Sequence, residues 1–317
     1  MVTHRLSERA KGVYIISATP FLDDGSIDLA SADRLVEFYL GTGVSGITIL
    51  GMMGEANKLS PDEAEGFTRH MLDRVAGRVP VVVGVTGAGV ANLADLSSTA
   101  MDAGAAGVMI APPGGQTTEE KLYGYYAAVF AALGPEIPVC YQDFPLATGV
   151  SISPSTFNRM VEDFPQLVML KHEDWPGLNK LSAVRSVAEK NGTRRVSILC
   201  GNGGLFLPEE LARGADGAMT GFAYPEMLVG VVSRIAAGDQ EGAQDLFDAY
   251  LPLVRHDQQP GFGLAIRKEV LRRRGFLTCA KTRAPGPALS ATDHVELDRL
   301  IRRLDANPLT EHTHAPI

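Results

Sequence analysis

The chain has 317 residues, of which 45% are hydrophobic and 21% charged, and its formal net charge is -8. This composition is ordinary for a globular protein with an apolar core. An acidic protein has little affinity for nucleic acid or for an anionic membrane surface. We therefore expect a small-molecule ligand and neither a nucleic-acid nor a membrane partner.

The cysteines and the chain termini indicate where the protein is located in the cell and whether it binds a metal. Cys140, Cys200 and Cys279 are odd in number and lack CxxC spacing, so we expect neither a disulfide framework nor a zinc cluster. No run approaches the ~20 apolar residues of a membrane span, and the N-terminus lacks the apolar core of a signal peptide. We predict a cytoplasmic protein without metal or cofactor, ending in a tail over residues 309–317.

Short apolar runs rich in valine and isoleucine recur along the chain. The predicted strands are residues 13–18, 46–50, 79–85, 107–111, 137–142, 167–171, 196–200 and 217–221. Between them lie segments of helical period, such as 31–43, 60–77 and 118–133, and several open on Ser, Thr or Asp in cap position. Strands and helices therefore alternate.

Continuous apolar strands indicate a parallel sheet that is covered on both faces. Eight units of ~30 residues suit a closed barrel. The main alternative is an open doubly wound sheet, but no GxGxxG follows the first strand and nothing marks a second domain. The prediction is an α/β fold, a (β/α)₈ TIM barrel over residues 1–224.

Residues 225–308 have a helical pattern almost throughout, which is more helix than a barrel needs. We predict that they form additional C-terminal helices packed on the barrel. The basic run at 267–274 is interpreted as the solvated face of one of these helices, because the protein as a whole is acidic.

In such barrels the reactive groups lie where the C-terminal ends of the strands converge. The candidates at the predicted strand ends are Thr19, Gly51, Met52, Met53, Gly54, Tyr141, Lys171, Glu173, Gly201, Asn202 and Thr220. Lys171 is the single lysine among them.

Lys171 ends an apolar run, and burial of an amine penalises its ammonium form and favours the neutral nucleophile. A neutral amine condenses with a 2-oxo acid to an imine, which stabilises the carbanion or enamine left when a C–C or C–O bond breaks. Such chemistry needs no metal. The alternative is a structural salt bridge of Lys171 with Glu173 or Asp174.

Two neighbours of Lys171 are candidates for proton transfer. Tyr141 ends the preceding strand, where a phenol across the barrel mouth could relay protons; the alternative is a buried tyrosine with a satisfied hydroxyl. Glu173 follows Lys171 by two residues, so both side chains should lie on one face. Its carboxylate could take up a proton or pair with a cation, and we favour the supporting role. His172, on the opposite face, is expected to pack against helices.

These residues resemble the dihydrodipicolinate synthase and N-acetylneuraminate lyase family of Schiff-base barrels, over roughly residues 11–305. Residues 51–63 are similar to the family motif G-[ST]-[ST]-G-E with its following Leu-[ST]-x-x-E, and residues 141–149 and 167–171 match its tyrosine and lysine segments. The resemblance implies that Lys171 is the Schiff-base lysine and Tyr141 the proton relay.

The resemblance also implies that the loop at 51–55 holds the carboxylate of a pyruvate-like moiety. Backbone amides at a strand-to-helix turn form an anion-binding concavity, and glycines allow close approach of a ligand. The alternative is a glycine-rich turn in which Glu55 starts a helix.

Four departures from the family pattern narrow the function. Methionines at 52–53 replace two hydroxyl residues, which leaves the carboxylate to backbone amides and to Thr19. Ala147 replaces the arginine that synthases use for a second substrate. Glycines at 114–115 replace a relay tyrosine, and glycines at 203–204 replace acidic sugar-binding groups. These absences count against dihydrodipicolinate synthesis and against sialic acid cleavage.

The sequence therefore predicts a metal-independent class I lyase that acts on a 2-oxo acid through a lysine imine. It is either a 2-keto-3-deoxy sugar-acid dehydratase, since several stretches resemble a branch with 2-keto-3-deoxy-L-arabonate dehydratases, or a retro-aldol lyase that releases pyruvate. The alternatives are a dihydrodipicolinate synthase-like condensing enzyme and a non-catalytic relative that binds pyruvate-type metabolites. We expect a homo-oligomer, with a tetramer as the default.

Overall fold

The structure, a computed structural model, describes residues 4–87 and 89–310. Its eight strands are β1 (Gly12–Ile16), β2 (Gly46–Ile49), β3 (Val81–Gly84), β4 (Gly107–Ile110), β5 (Val139–Asp143), β6 (Leu167–His172), β7 (Ser197–Cys200) and β8 (Gly217–Thr220). They pair in parallel and in chain order, and β8 pairs with β1 to close the barrel. The predicted TIM barrel is confirmed, and each predicted strand is present.

The helices are α1 (Leu29–Gly41), α2 (Pro61–Val75), α3 (Val90–Asp102), α4 (Glu119–Leu133), α5 (Pro145–Thr148), α6 (Pro154–Asp163), α7 (Gly177–Asn191), α8 (Leu207–Ala212), α9 (Pro225–Ala236), α10 (Gln240–Asp257), α11 (Gly263–Arg273) and α12 (Ala291–Asp305). Local chemistry starts several of them. Ser60 and Glu63 form a capping box at α2, and Thr118 caps α4.

The extra C-terminal helices are also confirmed. Helix α10 packs against α9, α11 and α12, whereas α9 packs on β1, β8 and α8 like a barrel helix. The division of the chain at residue 224 stays a prediction. The predicted tail lies outside the described residues from 311 onward. No helix within 4–87 and 89–310 is both long and apolar enough to cross a membrane.

The barrel interior is filled by apolar side chains from alternate strand positions. Met109 pairs with Cys140 and Cys140 with Met169, and all three are buried. The Cys140 sulfur lies 4.0 Å from the sulfur of Met219 on the far side of the barrel. This layer closes the barrel beneath the C-terminal strand ends, so a polar group above it faces apolar surroundings.

The pairing of β5 with β6 contains a one-residue irregularity. Val139 pairs with Leu167, but Cys140 pairs with Met169, so β6 has one extra residue at this point. A bulge of this kind changes which residues of two strands share a face. The register offset determines which residue of β5 pairs with Lys171 near the end of β6.

Candidate active site

Lys171 lies near the C-terminal end of β6 and is only 2% exposed. Its Nζ is 3.0 Å from Oε2 of Glu173, and Nε2 of Gln142 donates to the same oxygen at 2.7 Å. Gln142 is the register partner of Lys171 on β5, so the two side chains share a face. The expected common face of Lys171 and Glu173 is present, and the amine and carboxylate form a buried pair.

The residues that lie inward of the Lys171–Glu173 pair are unreactive. Cys140 and Met169 occupy the next inward positions on β5 and β6, and both are fully buried. Burial raises the pKa of Cys140 to about 12, although nearby Lys171 opposes the rise. The thiol therefore stays protonated near neutral pH and is a poor nucleophile there.

The loop after β7 is shaped around Glu173. A Cβ atom on Gly201 would lie 2.1 Å from Cγ of Glu173, so only glycine leaves room for that side chain. Asn202 has a φ of 49° and its Nδ2 donates to the Glu173 carbonyl at 3.2 Å. Thr220 accepts a hydrogen bond from the Gly203 amide at 2.7 Å, so its hydroxyl supports the loop. Of the predicted binding residues, Gly201 and Asn202 thus lie beside Glu173.

Tyr141 is not brought to the Lys171 amine, which corrects the expected position of the proton relay. It pairs with Leu170, one residue before Lys171, and side chains alternate along a strand. Its ring lies outside the barrel, 4.9 Å from the Tyr126 ring and 6.0 Å from that of Phe157. Burial there raises the pKa of Tyr141 well above its ordinary value. The side chain that faces the mouth from β5 is Gln142.

The loop at 51–55 follows β2 and lies at the same end of the barrel as Lys171. The Thr19 hydroxyl donates to the Gly54 carbonyl at 2.6 Å, so it supports this loop. Met52 is 43% exposed, whereas Met53 is buried. A Cβ atom on Gly221 would lie 2.0 Å from Sδ of Met53, which places the Met53 side chain over the end of β8.

Glu55 anchors this loop to the C-terminal region. It has a φ of 52° and is 1% exposed. Its carboxylate lies 2.5 Å from Lys268 Nζ and 2.8 Å from Lys58 Nζ, and it accepts from the Arg283 amide at 2.9 Å. A non-glycine residue at positive φ is strained, and the three cationic or donor groups hold it there.

The basic run at 267–274 is not a solvated face at its first two residues, contrary to our interpretation. Lys268 is 0% exposed, and the Arg267 side chain is 13% exposed. Nε of Arg267 is 2.8 Å from Asp257, and its Nη1 is 3.8 Å from the Met53 sulfur. Helix α11 therefore reaches the barrel mouth, which local sequence patterns did not indicate.

A second set of ionisable groups lies behind β6, on its outward face. His172 Nδ1 is 3.6 Å from Asp143, whose other close partner is Lys180 at 2.7 Å. Burial alone would lower the pKa of His172, but Asp143 raises it above the ordinary value. Burial raises the pKa of Glu210 to about 7, next to the thiol of Cys200. As expected, His172 faces the helices and not the mouth.

Comparisons with known proteins extend over nearly the whole chain. A family model described as the dihydrodipicolinate synthetase family matches residues 9–304. L-2-keto-3-deoxyarabonate dehydratase of Azospirillum brasilense is 32% identical over 308 residues, 96% of this chain and 97% of that protein. A 4-hydroxy-tetrahydrodipicolinate synthase of Thermus thermophilus is 33% identical over 231 residues, 72% of this chain and 75% of that protein.

Among solved structures, dihydrodipicolinate synthase from Rhodopseudomonas palustris superposes with a TM-score of 0.92 at 46% sequence identity. The match covers 95% of this chain and 99% of that chain. The similarity therefore includes the C-terminal helices as well as the barrel.

Proposed function

The chain belongs to the dihydrodipicolinate synthetase family and is a lyase. From this premise we propose that it forms an imine between Lys171 and a 2-oxo acid, and that it dehydrates a 2-keto-3-deoxy sugar acid. The substrate is a small molecule, and the reacting groups are side chains of the barrel mouth.

One observation carries the proposal: an amine and a carboxylate form a buried pair where the strands of a closed parallel barrel end. Lys171 Nζ and Glu173 Oε2 are 3.0 Å apart, with side chains 2% and 8% exposed. Proton transfer from the ammonium to this carboxylate, or onward to substrate, would leave a neutral amine, the form that attacks a carbonyl carbon.

The reaction then proceeds by ordinary imine chemistry. The amine adds to C2 of the 2-oxo acid, and the carbinolamine loses water to give a protonated imine. Loss of a proton from C3 gives an enamine, and the enamine expels the C4 hydroxyl as water once that oxygen is protonated. Hydrolysis of the imine frees the dehydrated 2-oxo acid and the lysine.

Glu173 is the side chain that we propose for the proton transfers. It lies beside the amine, and Gln142 fixes the oxygen that faces it by donating at 2.7 Å. A carboxylate held in this way can take a proton from C3 and return it to the leaving hydroxyl. Tyr141 has no such route to the substrate, because its ring faces Tyr126 on the outside of the barrel.

The dehydratase is favoured over the alternatives by two observations. The dehydratase of Azospirillum brasilense matches along 96% of this chain. Ala147 stands where the synthases have an arginine for a second substrate's carboxylate, so a condensation lacks that cation. The 46% identity to a dihydrodipicolinate synthase keeps a pyruvate-condensing or pyruvate-releasing lyase as the second candidate.

Borohydride trapping tests the imine. Reduction in the presence of pyruvate should convert the imine to a secondary amine and so add a 1-carboxyethyl group to one lysine, and peptide mass spectrometry should locate it at Lys171. The Lys171→Ala variant should take up no label. A label on another lysine, or the same labelling in this variant, would refute the proposal.

Product analysis tests the reaction that follows the imine. A panel of 2-keto-3-deoxy acids should yield dehydrated 2-oxo acids without free pyruvate. Release of pyruvate would favour the retro-aldol reaction, and labelling without turnover of any substrate would favour a metabolite-binding relative. Homotetramer formation and a cytoplasmic location stay predictions. Light scattering can check the oligomeric state.

A further inference from the structure

Arg267 brings a cation from the C-terminal helices to the barrel mouth. It lies in α11, and its Nη1 is 3.8 Å from Sδ of Met53 in the loop at 51–55. A Cβ atom on Gly221, just after β8, would lie 3.3 Å from the same Nη1. The guanidinium therefore stands at the mouth, between the end of β8 and the loop after β2.

Asp257 holds this guanidinium in place. Its carboxylate is 2% exposed and lies 2.8 Å from Nε and 3.2 Å from Nη2 of Arg267. Gln258 donates to the same carboxylate at 2.7 Å. Two of the three guanidinium nitrogens are thus directed at Asp257, which fixes the direction of the third.

The third nitrogen, Nη1, is left with a weak partner. Its hydrogen-bond partner in the structure is the thioether of Met53, and sulfur of this kind is a poor acceptor. A charged donor gains most from a charged acceptor, and guanidinium groups match carboxylates in shape as well as charge. An anionic ligand atom in place of the sulfur would therefore be a stronger acceptor for Nη1.

We propose that Arg267 is a specificity-determining residue that binds the carboxylate of the 2-oxo acid. The proposal rests on the imine function proposed above. It places a guanidinium beside the loop at 51–55, where methionines at 52–53 replace the hydroxyl residues of the family. It also gives the C-terminal extension a part in the active site.

Imine trapping with a charged and an uncharged ketone tests this role. The half-maximal concentration for borohydride labelling of Lys171 is measured with pyruvate and with methyl pyruvate, whose ester carries no charge. In Arg267→Met we expect the value for pyruvate to rise roughly 10- to 100-fold, the usual effect of losing a charged hydrogen bond. The value for methyl pyruvate should not change.

The matched control is Arg272→Met, the same substitution on the same helix at a side chain that is 43% exposed. It should leave both values unchanged. An equal shift for both ketones in Arg267→Met, or no shift for either, would overturn the proposal, because the residue would then act on the fold or not at all.

Two further arms keep the test decisive. If Arg267→Met does not fold because Asp257 is left buried and unpaired, the double variant Asp257→Asn/Arg267→Met removes both charges and should show the same selective loss. If the wild-type protein takes up no label, the imine function fails by itself. Thermal stabilisation by pyruvate, absent in Arg267→Met, would then still support the carboxylate site, and its presence in that variant would overturn it.

Discussion

Two of the lysines that the structure describes are buried, Lys171 at 2% and Lys268 at 0% exposure. Each lies against a glutamate, Glu173 at 3.0 Å for the first and Glu55 at 2.5 Å for the second. Their other contacts differ. Lys268 also donates to the Lys281 carbonyl at 2.9 Å and lies 4.4 Å from the centre of the Phe21 ring.

The difference shows that burial beside a carboxylate does not by itself make a lysine reactive. Burial lowers the pKa of Lys268, although Glu55 opposes this, and its carbonyl and ring contacts favour the ammonium form. Lys171 instead lies at a strand end, and its carboxylate partner is shared with Gln142. We expect the first lysine to do chemistry and the second to hold the C-terminal region on the barrel.

Replacing the reactive lysine should have the largest effect. Lys171→Met should lower turnover of a 2-keto-3-deoxy acid by about 1,000-fold or more, because the nucleophile is lost. Steady-state assays measure this, with Lys190→Met on the exposed face of α7 as control. Turnover within tenfold of wild type would break the comparison, since the two lysines would then not differ in chemistry.

Lys268→Met should act on stability instead. Removing one partner of a buried ion pair leaves Glu55 charged and unpaired, and we expect the free energy of unfolding to fall by about 3–5 kcal/mol. Denaturant titration measures the fall, and the double variant Lys268→Met/Glu55→Gln should recover part of it. Folded Lys268→Met protein should still be labelled at Lys171, and loss of that label would contradict the assigned division of roles.

Glu173→Gln sharpens the comparison from the side of the carboxylate. The change keeps the shape of the side chain but removes the base, so kcat should fall about 100-fold or more. Borohydride labelling of Lys171 by pyruvate should persist, because the amine remains. If labelling of Lys171 fell by the same factor as kcat, Glu173 would act only on the amine. It would then have no part in the later proton transfers.

Glu210 is a third buried glutamate, but its neighbour is the thiol of Cys200 and not a lysine. Burial raises the pKa of Glu210 from 4.5 to about 7. Between these pH values the folded protein binds the extra proton, so stability should fall as pH rises through this range. Glu210 also lines a surface groove of about 310 Å³, and water there limits the effect to on the order of 2 kcal/mol.

Denaturant titrations between pH 5 and 8 test this, because Glu210→Gln should remove that fall in stability. The control is Glu189→Gln at an exposed position of α7, which should behave like wild type. His172, whose pKa Asp143 raises above its ordinary value of 6.5, should leave a further fall in stability at higher pH in every variant. Identical pH profiles for wild type and Glu210→Gln would show that this carboxylate ionises freely.

The fold could be predicted almost completely because its signals are local. Apolar runs and caps alternate along the chain, and the strand-end rule led to Lys171. The pair with Glu173 also followed from alternation within one strand. Each of these arguments uses only residues that are close in sequence, and that was enough to predict the strand, helix or side chain concerned.

What failed depended on contacts between distant segments. The bulge that offsets β5 from β6 is not visible in either strand's pattern, so the sequence alone indicates Tyr141, and not Gln142, as the side chain that meets Lys171. Arg267 and Lys268 sit in a basic run that resembles a solvated face, and only their distant partners Asp257 and Glu55 explain their burial. A run of basic residues does not by itself reveal which of its side chains pair with a buried carboxylate.

The two faces of β5 provide the smallest expected effect. Tyr141 faces outward, and within residues 4–87 and 89–310 its hydroxyl has no hydrogen-bond partner. Tyr141→Phe should therefore change kcat less than about threefold, whereas loss of a proton relay would cost about 100-fold or more. The free energy of unfolding should stay the same or rise slightly, because an unpaired buried hydroxyl is removed.

Its matched control is Tyr126→Phe on the neighbouring helix α4. The Tyr126 hydroxyl donates to the Ile110 carbonyl at 3.0 Å, so its loss should lower the free energy of unfolding by about 1 kcal/mol without affecting kcat. A 100-fold loss of kcat in Tyr141→Phe alone would mean that the tyrosine turns toward the mouth during the reaction. Proton transfer would then have to be reassigned from Glu173 to the outward face of β5.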